Sequence, residues 1–128
     1  MSRIGQLNLD EIAAAAIEAA IYDRVEAAQI SKLMELLESL KDIGLLTIFL
    51  ARQVAREFWG KRGRAYSARR LANLLQDKSI SEARVLLGTF RWLYEIVRAF
   101  RPRMDDVFRP GSPAPQNLFN TLMGRCLR

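Results

Sequence analysis

The sequence predicts an all-α protein: a bundle of four to five helices over residues 1–101, an extended Pro-rich linker over 102–117, and a short amphipathic helix over 118–128. Three observations carry this prediction. Apolar residues recur at helical spacing, with no convincing strand-like alternation. Two helix-start signatures stand three residues apart, Asn8 with Glu11 and Ser79 with Glu82. All four prolines fall within residues 102–117, so the punctuation of the chain is concentrated near its C-terminal end.

The first helix opens at the Asn8/Glu11 box and carries the stripe Ile12, Ala13, Ala16, Ile17, Ala20 and Ile21. Alanine at this density lets a neighbouring helix approach closely, either inside the bundle or between subunits. Ser31 is read as the cap of a second helix running through Leu33, Leu36, Leu37 and Leu40 to Ile43, although no Gly or Pro separates it from the first. Gly44 suits a left-handed stop. A third helix, 45–59, is apolar on most sides at its start and is expected to be central to the core. It turns basic at Arg52 and Arg56, four residues apart on one face. Gly60 ends it, and Lys61-Arg62-Gly63-Arg64 follows as a basic loop. Ser67 is placed as the cap of a fourth helix over 68–76 with Arg69 and Arg70. The longest helix runs from Ile80 to Phe100, with Leu86, Phe90, Leu93, Val97 and Phe100 facing the core and Pro102 stopping it. Beyond the linker, Leu118, Phe119, Leu122, Met123 and Cys126 mark a helix whose apolar face needs a groove, on this chain or on a neighbouring copy, and Leu118, Phe119, Leu122 and Met123 are expected to mediate contact between copies.

At 128 residues, half of them apolar and 27% charged, the chain suits one globular domain. The net charge of +6 is unevenly spread. Residues 1–50 hold four basic side chains against eight acidic ones, whereas residues 51–101 hold twelve against four. Sixteen of the twenty cations are arginine, whose planar fork of donors matches phosphate oxygens. A basic half of this kind is expected where one face meets a polyanion.

Arg84, Arg91 and Arg98 recur every seven residues, nearly two helical turns, and so form one stripe with members roughly 10 Å apart. Arginine stripes are ordinarily solvated faces. Joined to Arg52, Arg56, Lys61, Arg62, Arg64, Arg69 and Arg70, this one predicts a continuous phosphate-binding surface. No base-reading pattern accompanies it, since phosphate contacts position a protein without reading sequence. Trp59 and Tyr66 flank the basic loop and are the aromatics placed to touch bases. Residues 67–93 loosely suggest a helix-turn-helix, but the turn lacks glycine and the second helix is long and apolar.

Catalytic readings fail on residue inventory. There is no histidine, the commonest general base and metal ligand. Gly60 to Arg64 lacks both the spacing and the ending of a phosphate-binding P-loop. Asp105-Asp106 lies beside a proline-rich joint without supporting ligands. The single cysteine, Cys126, excludes an internal disulfide. Neither a cofactor nor a metal is expected. The longest uncharged apolar run, residues 43–51, is about half a membrane span. Residues 1–12 carry no secretory signal, and a soluble, intracellular protein is expected.

In size, helicity, arginine-rich charge and the extended terminal segment 102–117, the chain resembles the helical capsid proteins of filamentous viruses of hyperthermophilic archaea. The resemblance implies a non-enzymatic subunit coating double-stranded DNA beside other copies of itself or a paralogous subunit, in a virion assembled in the host cytoplasm. It departs from the rod-shaped representatives in placing its Pro-rich segment at the C-terminal end. A second resemblance rests on Gly44-Leu45-Leu46-Thr47-Ile48-Phe49-Leu50, which is similar to the glycine-led apolar helix in small helical subunits of CRISPR effector complexes. A third reading is a nucleic-acid-free adaptor that oligomerises through its apolar tail.

Overall fold

The computed structural model describes residues 7–128. Six helices follow in order: α1 Leu9–Ile17, α2 Ala27–Leu40, α3 Ile43–Ala55, α4 Tyr66–Leu75, α5 Ile80–Phe100 and α6 Leu118–Leu127. A π-helical turn, Glu18–Tyr22, continues α1 directly. Among the described residues no strand is present, and no helix is long and apolar enough to cross a membrane.

The core is built around α1. Every residue from Ile12 to Ala19 is buried, and α4, α5 and α6 all pack against this one helix. Its run of alanines makes that possible, because small side chains let three neighbours come close at once. The expectation that the third helix would be central is corrected here. Helix α3 packs chiefly on α2 and α4, and its Ile48 is 63% exposed. An apolar composition marks a helix as buried only when enough neighbours surround it, and α3 lies at the edge.

Among the described residues six non-glycine positions adopt the left-handed region, at Arg24, Lys41, Glu57, Asp77, Arg101 and Asn117. The first divides α1 from α2, so the two are separate helices and Ser31 lies inside the second. There the amide of Val25 donates to the carbonyl of Ala19 across the π-helical turn, at 2.8 Å. Lys41, not Gly44, stops α2, its N–H donating to Leu37. Asp42 then caps α3 by accepting from the Leu45 amide at 2.9 Å, which places Gly44 in the first turn. Helix α3 ends at Ala55, four residues before the expected Trp59, because the chain turns left-handed at Glu57. Helix α5 matches its expected limits. Ser79 and Glu82 close a complete capping box, and Arg101 ends the helix immediately before Pro102.

The Pro-rich segment does not run extended across a gap. A turn over 104–108 buries Met104 and Phe108, and the following backbone is pinned to carboxylates of α1 and its π-helical continuation. The Gly111 amide donates to Glu18 at 2.7 Å and the Ala114 amide to Glu11 at 2.8 Å. The Asn117 and Phe119 amides donate to Asp10, which serves α6 as a cap supplied from another element. Leu118 and Leu122 are fully buried, with Phe119 and Met123 partly buried beside them, so the tail helix seats on its own bundle.

Candidate nucleic-acid interface

The ten predicted cations fall into three environments. Arg52 and Arg56 are exposed at the end of α3, Lys61, Arg62 and Arg64 lie on the connecting loop, and Arg69 is on the outer side of α4. Hydrogen bonds stitch these pieces together. The Arg62 guanidinium donates to the Ala55 carbonyl at 3.2 Å, satisfying an orphan acceptor at the end of α3. Arg69 in turn reaches the Arg62 carbonyl at 3.4 Å. Among the described residues, no carboxylate comes within 4.0 Å of any of these six cations. Their charge is therefore available to an external anion.

Arg84, Arg91 and Arg98 are exposed along α5, as the seven-residue spacing requires, but each already meets a carboxylate. Arg84 forms a bidentate pair with Glu38 of α2, at 2.6 and 3.0 Å. That pairing holds the Glu38 carboxyl below its ordinary range. Arg91 lies 3.5 Å from Glu95. Arg98 lies 3.8 Å from Glu26 and donates to the Tyr94 hydroxyl at 2.7 Å. The acidic excess of the first fifty residues is thus partly spent on the α5 stripe. A count by segment does not reveal this, because Glu38 and Glu26 reach the stripe from outside α5.

Arg70 is in the third environment. Although adjacent to Arg69, it points inward, with its side chain 10% exposed and that of Glu18 fully buried. It donates twice to Glu18 at 2.8 Å, to Glu11 at 2.7 Å and to the Ser112 carbonyl at 2.6 Å. Its guanidinium also lies 5.5 Å from the Phe108 ring centroid. Every edge of the guanidinium is occupied, so Arg70 acts as an internal tie between α4, α1 and the tail.

The aromatics exchange the parts expected of them. Trp59 is buried, its indole N–H donating to Ser67 Oγ at 2.9 Å. Ser67 is itself buried and bonds the Asp23 carboxylate, which also accepts from the Ser67 amide at 2.8 Å and the Tyr66 amide at 3.3 Å. Asp23 therefore caps α4 from outside it, a role first assigned to Ser67. The half-buried ring of Tyr66 packs against Gly111, where a Cβ would come within 3.1 Å of it. Next to the basic loop it is Phe58 that is left in the open, 47% exposed beneath the Arg56 guanidinium at 4.6 Å. The left-handed turn at Glu57 rotates Phe58 outward and Trp59 inward, and helical spacing alone gives no sign of that turn.

Comparison of the chain with protein-family models, with curated proteins and with solved structures finds no match.

Proposed function

We propose that this protein is a non-enzymatic coat subunit that grips nucleic-acid phosphates without reading sequence. The observation that carries the proposal is the group Arg52, Arg56, Lys61, Arg62, Arg64 and Arg69, whose charges have no carboxylate partner within 4.0 Å among the described residues. Six uncompensated cations within eighteen residues of chain repel one another, and a polyanion relieves that repulsion. Arg84, Arg91 and Arg98 extend the surface with charge already shared. The coat-subunit part of the reading draws support from apolar side chains left in solvent on two helices. Ile48 on α3 and Trp92 on α5, 63% and 72% exposed, are surfaces that neighbouring copies would cover.

Neutralising about six phosphates releases their counterions, so log affinity for duplex DNA should fall with log salt at a slope of about −5. Reversing Arg62, Arg64 and Arg69 to Glu is expected to abolish binding at moderate salt with helix content unchanged. Reversing Arg84, Arg91 and Arg98 is expected to weaken it less. A slope near zero for the parent chain, or equal losses from the two triple variants, would overturn the assignment of the surface.

A further inference from the structure

Beside the cationic loop, between the end of the π-helical turn and residues 57–64, lies an open cleft of about 760 Å³. This is within the range of small-molecule sites, roughly 300–1,000 Å³. Phe58, Lys61 and Arg64 line one side, and Tyr22, Arg24 and Gln29 line the other. We propose that this cleft receives an unpaired base of single-stranded nucleic acid, stacked on Phe58, an inference that rests on the phosphate-binding reading above.

Phe58 is held in place for such a role. Its amide and that of Trp59 both donate to the Gln53 carbonyl, at 2.8 and 3.3 Å, while the Trp59 side chain anchors the segment in the core. The backbone that carries the exposed ring is thus held in place on both sides. Arg56 lies over the ring, and a base on the cleft side would complete a stack of guanidinium, ring and base. Gln29 adds a polar contact: its oxygen is taken by Gln53 Nε2 at 2.6 Å, which leaves its amide NH₂ to donate to a base acceptor. Arg24, Lys61 and Arg64 have no carboxylate within 4.0 Å among the described residues and stand where the flanking phosphates of a strand would pass.

Carboxylates also border the cleft, and their dispositions limit the repulsion. The Asp23 oxygens are engaged by Tyr66 and Ser67, and Glu26 lies near Arg98. Glu57 also lines the cleft, with no cation within 4.0 Å among the described residues. A duplex cannot use this site, because its bases are paired and stacked away from any external ring. A single strand can, and without sequence preference, since every base offers a π-face.

The test is fluorescence anisotropy of the full chain with an oligo-dT strand and with a duplex of equal length, comparing Phe58→Ala, Phe58→Tyr and the parent protein. The expected result is tighter binding of the single strand by the parent, a loss of about tenfold in that affinity for Phe58→Ala, retention by Phe58→Tyr, and unchanged duplex binding. If Phe58→Ala weakens single strand and duplex alike, or neither, the base site is overturned while salt-sensitive binding still upholds the phosphate surface. If neither nucleic acid binds at low salt, both readings fall together.

Discussion

Asp23 and Arg70 show how single side chains of this protein substitute for regular structure. Each joins elements that are distant in sequence, and each is a charge withdrawn from water, which is tolerable only when its hydrogen-bonding capacity is filled. Burial is the chief influence on Asp23, and it pushes the carboxyl above its ordinary value. The Ser67 hydroxyl and the Ser67 and Tyr66 amides pull it back, while the nearby Glu18 charge adds to the rise. With the folded value raised, the native protein takes up a proton before the unfolded chain does as pH falls. The associated stability is complete below the unfolded value of about 3.8 and is lost as pH rises through the folded one. Urea unfolding of the parent and of Asp23→Asn at several pH values checks this. The free-energy difference between them should shift in favour of the parent on acidification from neutral pH. A flat difference would mean that burial does not govern Asp23. Neither residue's role was legible beforehand. Arg70 stands in a run of exposed cations, and only the placement of Glu18, buried by the π-helical turn, distinguishes it from Arg69.

Helices whose ends carry local chemistry were legible, and those ended by distant contacts were not. Helix α5 declares itself completely: Ser79 and Glu82 begin it and Pro102 forbids its continuation. Replacing Ser79 with Ala should cost about 1 kcal/mol of stability, with loss of amide protection confined to the first turn of α5. A global loss of protection would show instead that this cap holds more than its own helix. Helix α4 carries no such signal, because its cap is Asp23, with the whole of α2 and α3 between them in the chain. The end of α2 and the segment after α4 pass through left-handed Lys41 and Asp77, positions where glycine would have marked the reversal. The same limitation hid Phe58, since without knowledge of the turn at Glu57 helical spacing cannot tell which of two adjacent aromatics is buried.

For the molecule as a whole, helicity and the basic second half were legible, whereas the division of charge into paired and unpaired groups required the fold. The sequence leads one to expect a C-terminal helix that mediates contact between copies, whereas in the fold its Leu118 and Leu122 are buried against the chain's own helices. Truncation after Pro110 removes the buried Leu118 and Leu122 together with the amides that satisfy Asp10, Glu11 and Glu18. At about 1.5–3 kcal/mol for each buried leucine, the truncated protein should lose at least about 3 kcal/mol in denaturant unfolding. An unchanged midpoint would mean that the tail contributes nothing to the bundle. Sizing the same variant with and without nucleic acid tests whether the tail also links copies in a coat.

The clasp between Glu18 and Gly111 spans ninety-three positions of the chain, and this has a consequence for biosynthesis. A ribosome adds about 5–20 residues each second. Helix α1 is therefore made early but waits on the order of ten seconds for the segment that covers it. During that interval Asp10, Glu11 and Glu18 stand without their eventual amide donors, and the alanine surface beneath α6 is open. Folding of the nascent chain is accordingly gated by translation of residues 111–122, and slow codons there would lengthen the exposure of its most apolar helix.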